Sequence, residues 1–156
     1  MNFRADELGL DKTRFTNPTG LDDFSPGGLG TAEDTAKLLT YIWENEPDAL
    51  LYTNMEKMTF TSLDDFTHVA ENTNITVHKI PGLLGGKTGY TDKAGGNLAV
   101  IYDAGLDHPI AIVVLGSTLE GRFNDVETLV DATYSYLSSD WFEYETQISG
   151  STASAS

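Results

Sequence analysis

The chain contains no cysteine, which removes disulfide staples, thiolate nucleophiles and thiolate metal sites while leaving the redox compartment open. Positive charge is scarce as well. Lys and Arg number 9 against 24 Asp and Glu, a formal charge of -15 with no basic run to interrupt it. Such a surface repels phosphates and anionic headgroups, so nucleic acid is excluded as a partner. Long apolar runs are missing too: the longest, Ile110 to Leu115, is far short of the about 20 residues a membrane-spanning helix needs. No secretory leader is visible at the N-terminus, although a chain that begins inside a domain would not display one. The three histidines, His68, His78 and His108, stand apart in the sequence and form no metal-ligand pattern, so neither a metal nor a cofactor is expected.

What is present suits one domain or part of one, with 156 residues and 40% hydrophobic content. Met1 to Leu8 reads as a helix stopped by Gly9, without an introducing cap, so the chain is expected to begin inside a helix. A long loop follows from Asp11 to Gly30, with turns at Asn17-Pro18-Thr19-Gly20 and Ser25-Pro26-Gly27-Gly28. Thr31 is a good N-cap with Asp34 at the capping-box position, and Leu38, Leu39, Ile42 and Trp43 keep helical spacing until Pro47. A short hairpin is expected from Thr59–Leu63 and Thr67–Val69 around Asp64-Asp65. Asn97–Tyr102 and Ile110–Leu115 read as an antiparallel pair of strands. The second is apolar on both faces, so helices should cover both sides of the sheet. A last helix is expected with Asn124 as N-cap, Glu127 three residues on, and a stripe of Val126, Leu129, Val130, Thr133, Tyr134 and Leu137.

Chemistry concentrates in Leu83-Leu84-Gly85-Gly86-Lys87-Thr88-Gly89-Tyr90-Thr91, followed by Ala94-Gly95-Gly96-Asn97. As a strand, this segment offers a fixed cation in Lys87, a hydroxyl in Thr88, and at Gly89 room for a second backbone to lie close. It could hold an extended peptide alongside itself. Taken alone, Lys-Thr-Gly is more often an exposed lysine on a glycine-rich hairpin. Its surroundings alter that balance. Leu8-Gly9-Leu10-Asp11-Lys12-Thr13-Arg14-Phe15-Thr16-Asn17-Pro18-Thr19-Gly20-Leu21, Thr31-Ala32-Glu33-Asp34-Thr35-Ala36-Lys37-Leu38, Asn72-Thr73-Asn74, and Val113-Val114-Leu115-Gly116-Ser117 with Gly121-Arg122-Phe123-Asn124-Asp125 stand in order around it. Together they resemble the serine-type D-alanyl-D-alanine carboxypeptidases, low-molecular-weight penicillin-binding proteins of the peptidase S11 kind, over roughly Met1 to Leu137.

The resemblance implies an α+β (α/β) fold, a penicillin-binding-protein/β-lactamase-like antiparallel sheet flanked by helices. Here it would be present as a partial domain, the C-terminal portion of the catalytic domain in residues 1–140, with 141–156 a linker or disordered tail. The family's nucleophile lies in Ser-x-x-Lys and a second catalytic serine in Ser-x-Asn. Neither pattern occurs in this sequence, so the nucleophile is not in the chain and the chain alone is expected to be inactive. By the same resemblance, Lys87 gives electrostatic support near the second serine, Lys87, Thr88 and Gly89 bind substrate, and the backbone N–H of Tyr90 is one of two oxyanion donors. Arg122 is the candidate reader of the substrate's terminal carboxylate, since a guanidinium can donate two parallel hydrogen bonds. An ion pair with Asp125 or Glu120 is the rival reading. Asp34 and Asn74 match family positions, but a helix cap and a loop brace account for both. Asp22-Asp23 and Asp64-Asp65 are read as solvated surface charges.

The implied partners are peptidoglycan stem peptides ending in D-Ala-D-Ala, with β-lactams as inhibitors, no metal and no nucleic acid. The implied location is extracytoplasmic, on the periplasmic or cell-wall face, with any membrane anchor in segments outside this chain. Two other readings stay open: a noncatalytic module that binds peptidoglycan peptides, and a class A β-lactamase relative, which shares Lys-Thr-Gly. The Asn17–Leu21 and Thr31–Asp34 blocks favour the carboxypeptidases over the latter.

Overall fold

The computed structural model describes residues 1–22, 27–105 and 107–152, with side chains as far as Ser139. In chain order the elements are α1 (Asn2–Glu7), β1 (Arg14–Phe15), β2 (Gly28–Leu29), α2 (Ala32–Asn45), β3 (Lys57–Thr61), β4 (Thr67–Glu71), β5 (Leu83–Thr91), β6 (Gly95–Asp103), β7 (Pro109–Ser117) and α3 (Gly121–Thr152). The main sheet is antiparallel in the order β5-β6-β7, so the glycine-rich strand lies at an edge.

β6 explains why this sheet must be covered twice. Its side chains alternate between faces. Leu98, Val100 and Tyr102, none of them exposed, join Ile80, Ile112 and the Phe123, Val126 and Val130 stripe of α3. Ala99 and Ile101 point the other way, against Leu39 of α2 and Leu50. β7 divides likewise, with Ile112 and Val114 on the α3 side and Ala111 and Val113 on the α2 side. The expected helix on each face is therefore present.

The helix ends follow from local hydrogen bonding. Gly9 takes φ +67 just beyond α1, a left-handed stop that costs glycine nothing. Thr31 caps α2 by accepting from the Asp34 N–H at 3.1 Å, and Pro47 opens a single 3-10 turn, Pro47–Ala49, after it. Asp34 does not complete the capping box. Its carboxylate accepts instead from Lys12 N–H at 2.9 Å and Thr13 Oγ1 at 2.8 Å, because the loop after α1 lies over the start of α2.

Several expectations are corrected. The 11–30 segment is not all loop: β1 pairs with β2, and Asn2 clamps Phe15 by donating to its carbonyl and accepting from its N–H, both at 2.8 Å. Of the expected turns, Asn17–Gly20 forms, with Asn17 Oδ1 accepting from the N–H groups of Thr19 and Gly20; Ser25 and Pro26 lie outside the described residues. The first strand of the hairpin starts earlier than expected, at Lys57, and the tip is carried by Asp65 at φ 64. α3 starts at Gly121 rather than after Asn124, because Thr118 Oγ1 accepts from Gly121 N–H at 2.8 Å and supplies the cap. That earlier start brings Phe123 into the buried stripe with Val126, Val130 and Tyr134, and turns Leu129 and Leu137 outward. Helix backbone continues through 141–152, where the sequence suggested a linker, since no proline interrupts Trp141–Thr152; 153–156 lie outside the described residues.

Candidate active site

Lys87, Thr88, Gly89 and Tyr90 fall on β5, one after another, beside an open edge of the sheet. In an antiparallel ladder consecutive residues turn their N–H and C=O groups to opposite sides. Gly86 N–H leaves the ladder to donate to Thr53 Oγ1 at 3.0 Å, and the Thr88 carbonyl accepts from Lys87 Nζ at 2.6 Å. The same parity turns the N–H groups of Thr88 and Tyr90 to the open edge, which is where an incoming carbonyl could meet them. Lys87 itself is exposed and the hydroxyl of Thr88 half-buried.

A second segment supports this edge. Thr73 Oγ1 lies 2.6 Å from Thr88 Oγ1. Asn72 holds that segment by donating from Nδ2 to the carbonyls of Thr53 and Met55, each at 2.8 Å. Asn74 is buried, and its Oδ1 accepts from Thr76 N–H and Thr76 Oγ1, the loop-bracing role expected for it. A cavity of about 280 Å³ opens between the β3–β4 hairpin and β5, lined by Thr53, Lys57, Glu71, Thr73, Lys87 and Thr88. Thr53 and Thr73 were missed as site residues. Thr53 sits in no motif and Thr73 stood in the Asn72-Thr73-Asn74 block without a role of its own, and only the fold sets them against β5.

Arg122 comes to the same strand from the other side. It is buried at 7% exposure, its guanidinium stacks on Phe123 with Cζ 4.6 Å from the ring centroid, and Nη1 donates to the Gly89 carbonyl at 2.7 Å. Asp125, the suggested ion-pair partner, instead accepts from Ser117 Oγ at 2.6 Å. Arg122 Nε is buried with no hydrogen-bond partner among the described residues. The guanidinium expected to read the substrate's terminal carboxylate is therefore spent, at least in part, on the Gly89 carbonyl of β5.

The far end of β5 is held by a carboxylate that the sequence reading placed in solvent. Thr91 Oγ1 donates to Asp22 Oδ2 at 2.5 Å and accepts from Ala94 N–H, while Asp22 Oδ1 accepts from Gly27 N–H at 2.8 Å. Asp22 thus ties the loop before β2 to the turn after Tyr90; Asp23 lies outside the described residues. The Thr91 hydroxyl, then the Gly27 N–H, then the charge of Lys93 hold the Asp22 carboxyl below the usual carboxylate range. The sign follows: a lowered pKa contributes stability that is fully present above the unfolded value of about 4 and is lost as pH falls through the folded one. Thr91→Val should move the Asp22 carboxyl back toward its ordinary value and flatten the acid limb of stability, measured by carbon-detected NMR titration. An unmoved titration would show that Thr91 is not the main cause.

The other acidic pair is local. Ser62 Oγ donates to Asp64 Oδ1, and Asp65 occupies the hairpin turn. His68 stacks on Phe60 at 5.3 Å between centroids, and His108 Nδ1 lies 3.0 Å from the Gly105 carbonyl oxygen.

Comparison with known proteins decides the family. The sequence profile of D-alanyl-D-alanine carboxypeptidases, peptidase S11, matches residues 1–118. The chain belongs to the D-alanyl-D-alanine carboxypeptidase family. It is 33% identical over 141 residues to the D-alanyl-D-alanine carboxypeptidase DacF of Bacillus subtilis, covering 86% of this chain and 34% of that protein. It is 34% identical over 116 residues to a D-alanyl-D-alanine endopeptidase of Escherichia coli, covering 74% of this chain and 36% of that protein. Penicillin-binding protein D2 of Listeria monocytogenes, solved in a cefotaxime-bound form, superimposes with TM-score 0.72 at 31% identity over 83% of this chain and 51% of that one. A D-alanyl-D-alanine carboxypeptidase of Mycobacterium tuberculosis gives TM-score 0.73 at 27% identity, over 86% and 51%. The carboxypeptidase-family fold, an antiparallel sheet with helices on both faces, is thus this chain's fold. The chain spans about a third of the length of the curated relatives it matches and about half of the solved chains.

Proposed function

We propose that this chain forms one wall of a serine-type D-Ala-D-Ala carboxypeptidase site, and that the serine nucleophile and its base come from a Ser-x-x-Lys segment outside it. The wall is β5. The observation that carries this reading is the open edge of that strand, where a cation, a hydroxyl and an off-ladder N–H follow one another in Lys87, Thr88 and Tyr90.

The division of labour follows from what acyl transfer needs. An extended peptide ending in D-Ala-D-Ala lies along β5 and takes the strand position the sheet leaves vacant. Tyr90 N–H donates to the carbonyl oxygen as it becomes an oxyanion, and Gly89, with no side chain, leaves the approach clear. Lys87 supplies positive charge close to the proton-transfer path, and Thr88, with Thr73 beside it, hydrogen-bonds the substrate. Arg122 provides the cation nearest the substrate's terminal carboxylate. β-Lactams would enter as substrate mimics, and the peptide substrate places the working site on the periplasmic or cell-wall face. The chain alone is inactive in this proposal.

Covalent labelling by a fluorescent penicillin, read by intact mass, tests it. This chain should remain unlabelled, and a version extended upstream through the encoding DNA should gain one penicilloyl adduct. Labelling of neither, with both folded, would favour a noncatalytic peptide-binding module and overturn the proposal.

A further inference from the structure

We infer that Arg122 is a positioning residue for the oxyanion donor: its Nη1 bond to the Gly89 carbonyl holds the peptide unit whose other end is the Tyr90 N–H. The inference rests on the reading of Tyr90 N–H as an oxyanion donor given above. The Gly89 C=O and the Tyr90 N–H belong to one planar trans peptide and point in opposite directions. Fixing the carbonyl therefore fixes the direction of the N–H, and a cation on the oxygen draws electron density across the amide and makes the N–H a better donor.

The surroundings suit a fixed role better than a mobile one. Arg122 is buried, its guanidinium stacks on Phe123, and Phe123 is itself part of the α3 core at 5% exposure. α3 starts from the Thr118 cap, whose carbonyl also accepts from Arg122 N–H at 3.2 Å. The residue is thus anchored at its backbone, supported along its plane, and bonded at Nη1 to β5 at 2.7 Å.

The role differs from carboxylate reading in a measurable way. A carboxylate reader matters only for substrates with a free carboxylate, whereas an oxyanion donor serves every acyl transfer. In the upstream-extended chain, Arg122→Met should slow acylation by about tenfold to a hundredfold, less than outright loss of an oxyanion donor. The loss should appear with both of two thioester acyl donors, one with and one without a free carboxylate on the leaving group. Arg122→Lys, which keeps the charge, should recover part of it for both. A loss confined to the carboxylate-bearing donor would overturn the inference.

A second measurement uses the unaltered chain and needs neither activity nor a folded variant. Triple-resonance NMR should detect a coupling across the hydrogen bond between Arg122 Nη1 and the Gly89 carbonyl carbon, persisting as N-acetyl-D-alanyl-D-alanine is added. No coupling, or its disappearance when the peptide binds, would overturn the inference. The NMR result stands even if penicillin labels neither chain, so failure of the positioning role and failure of the proposed function are separable.

Discussion

Replacing Gly96 with alanine should cost about 3 kcal/mol of stability, at the upper end of what overpacking does in a buried site. An added Cβ would come to 2.0 Å from the Thr118 carbonyl oxygen and 2.7 Å from its carbon. Both are backbone atoms at the junction of β7 and α3, so no side-chain rotation relieves the contact. The same Thr118 caps α3 and so sets where Arg122 begins, and displacing it should disturb the site as well as the fold. Gly89→Ala is the control. Its Cβ would meet only Asn97 Cβ at 3.7 Å, and the change should be below about 1 kcal/mol, the ordinary cost of a tolerated core adjustment. Urea titration of the two variants checks the contrast, and equal midpoints would refute it. The glycines of this chain are therefore not interchangeable spacers: Gly96 is required by the backbone facing it, whereas a Cβ at Gly89 has room.

Asp34→Ala should be as costly, about 3 kcal/mol, because hydrogen bonds to a charged group are worth about 1.5–3 kcal/mol and two are lost together. Asp34 is 3% exposed. Its Oδ2 accepts from both Lys12 N–H and Thr13 Oγ1, so truncation leaves those donors without their acceptor at a half-buried junction. The carboxylate also lies in the first turn of α2, where a negative charge is favoured. Asp34→Asn keeps one acceptor oxygen but not the charge and should lose roughly half as much. Equilibrium unfolding gives the magnitudes, and faster amide exchange at Lys12 should accompany the alanine variant. A fully stable alanine variant would mean that water replaces the carboxylate without penalty. The residue was legible as a helix-start aspartate, but its partners were not, since Lys12 and Thr13 come from a loop that only the fold brings over α2.

The same division holds across the molecule. The strand that became β6, the apolar run of β7, the Thr31 cap and the Pro47 stop were readable because each depends on neighbours within a few residues. The α3 start was misplaced by four residues because Asn124 and Thr118 are both acceptable caps by type, and only the packing of Phe123 between the helix and the sheet chooses between them. The β1–β2 ribbon was missed because two-residue strands leave no periodicity to detect.

Within the site, the sequence by itself determined the inventory: a lysine, a threonine and a glycine in succession, an arginine farther on, no cysteine, and no serine followed three residues later by lysine. Those are properties of residue types and short spacings, fixed along the chain before it folds. The tertiary structure decided which of these groups meet. It set Thr73 against Thr88, Asp22 against Thr91, and Arg122 against the carbonyl of Gly89. Each pair joins segments separated in sequence, and a hydrogen bond between them exists only once the fold has brought those segments together.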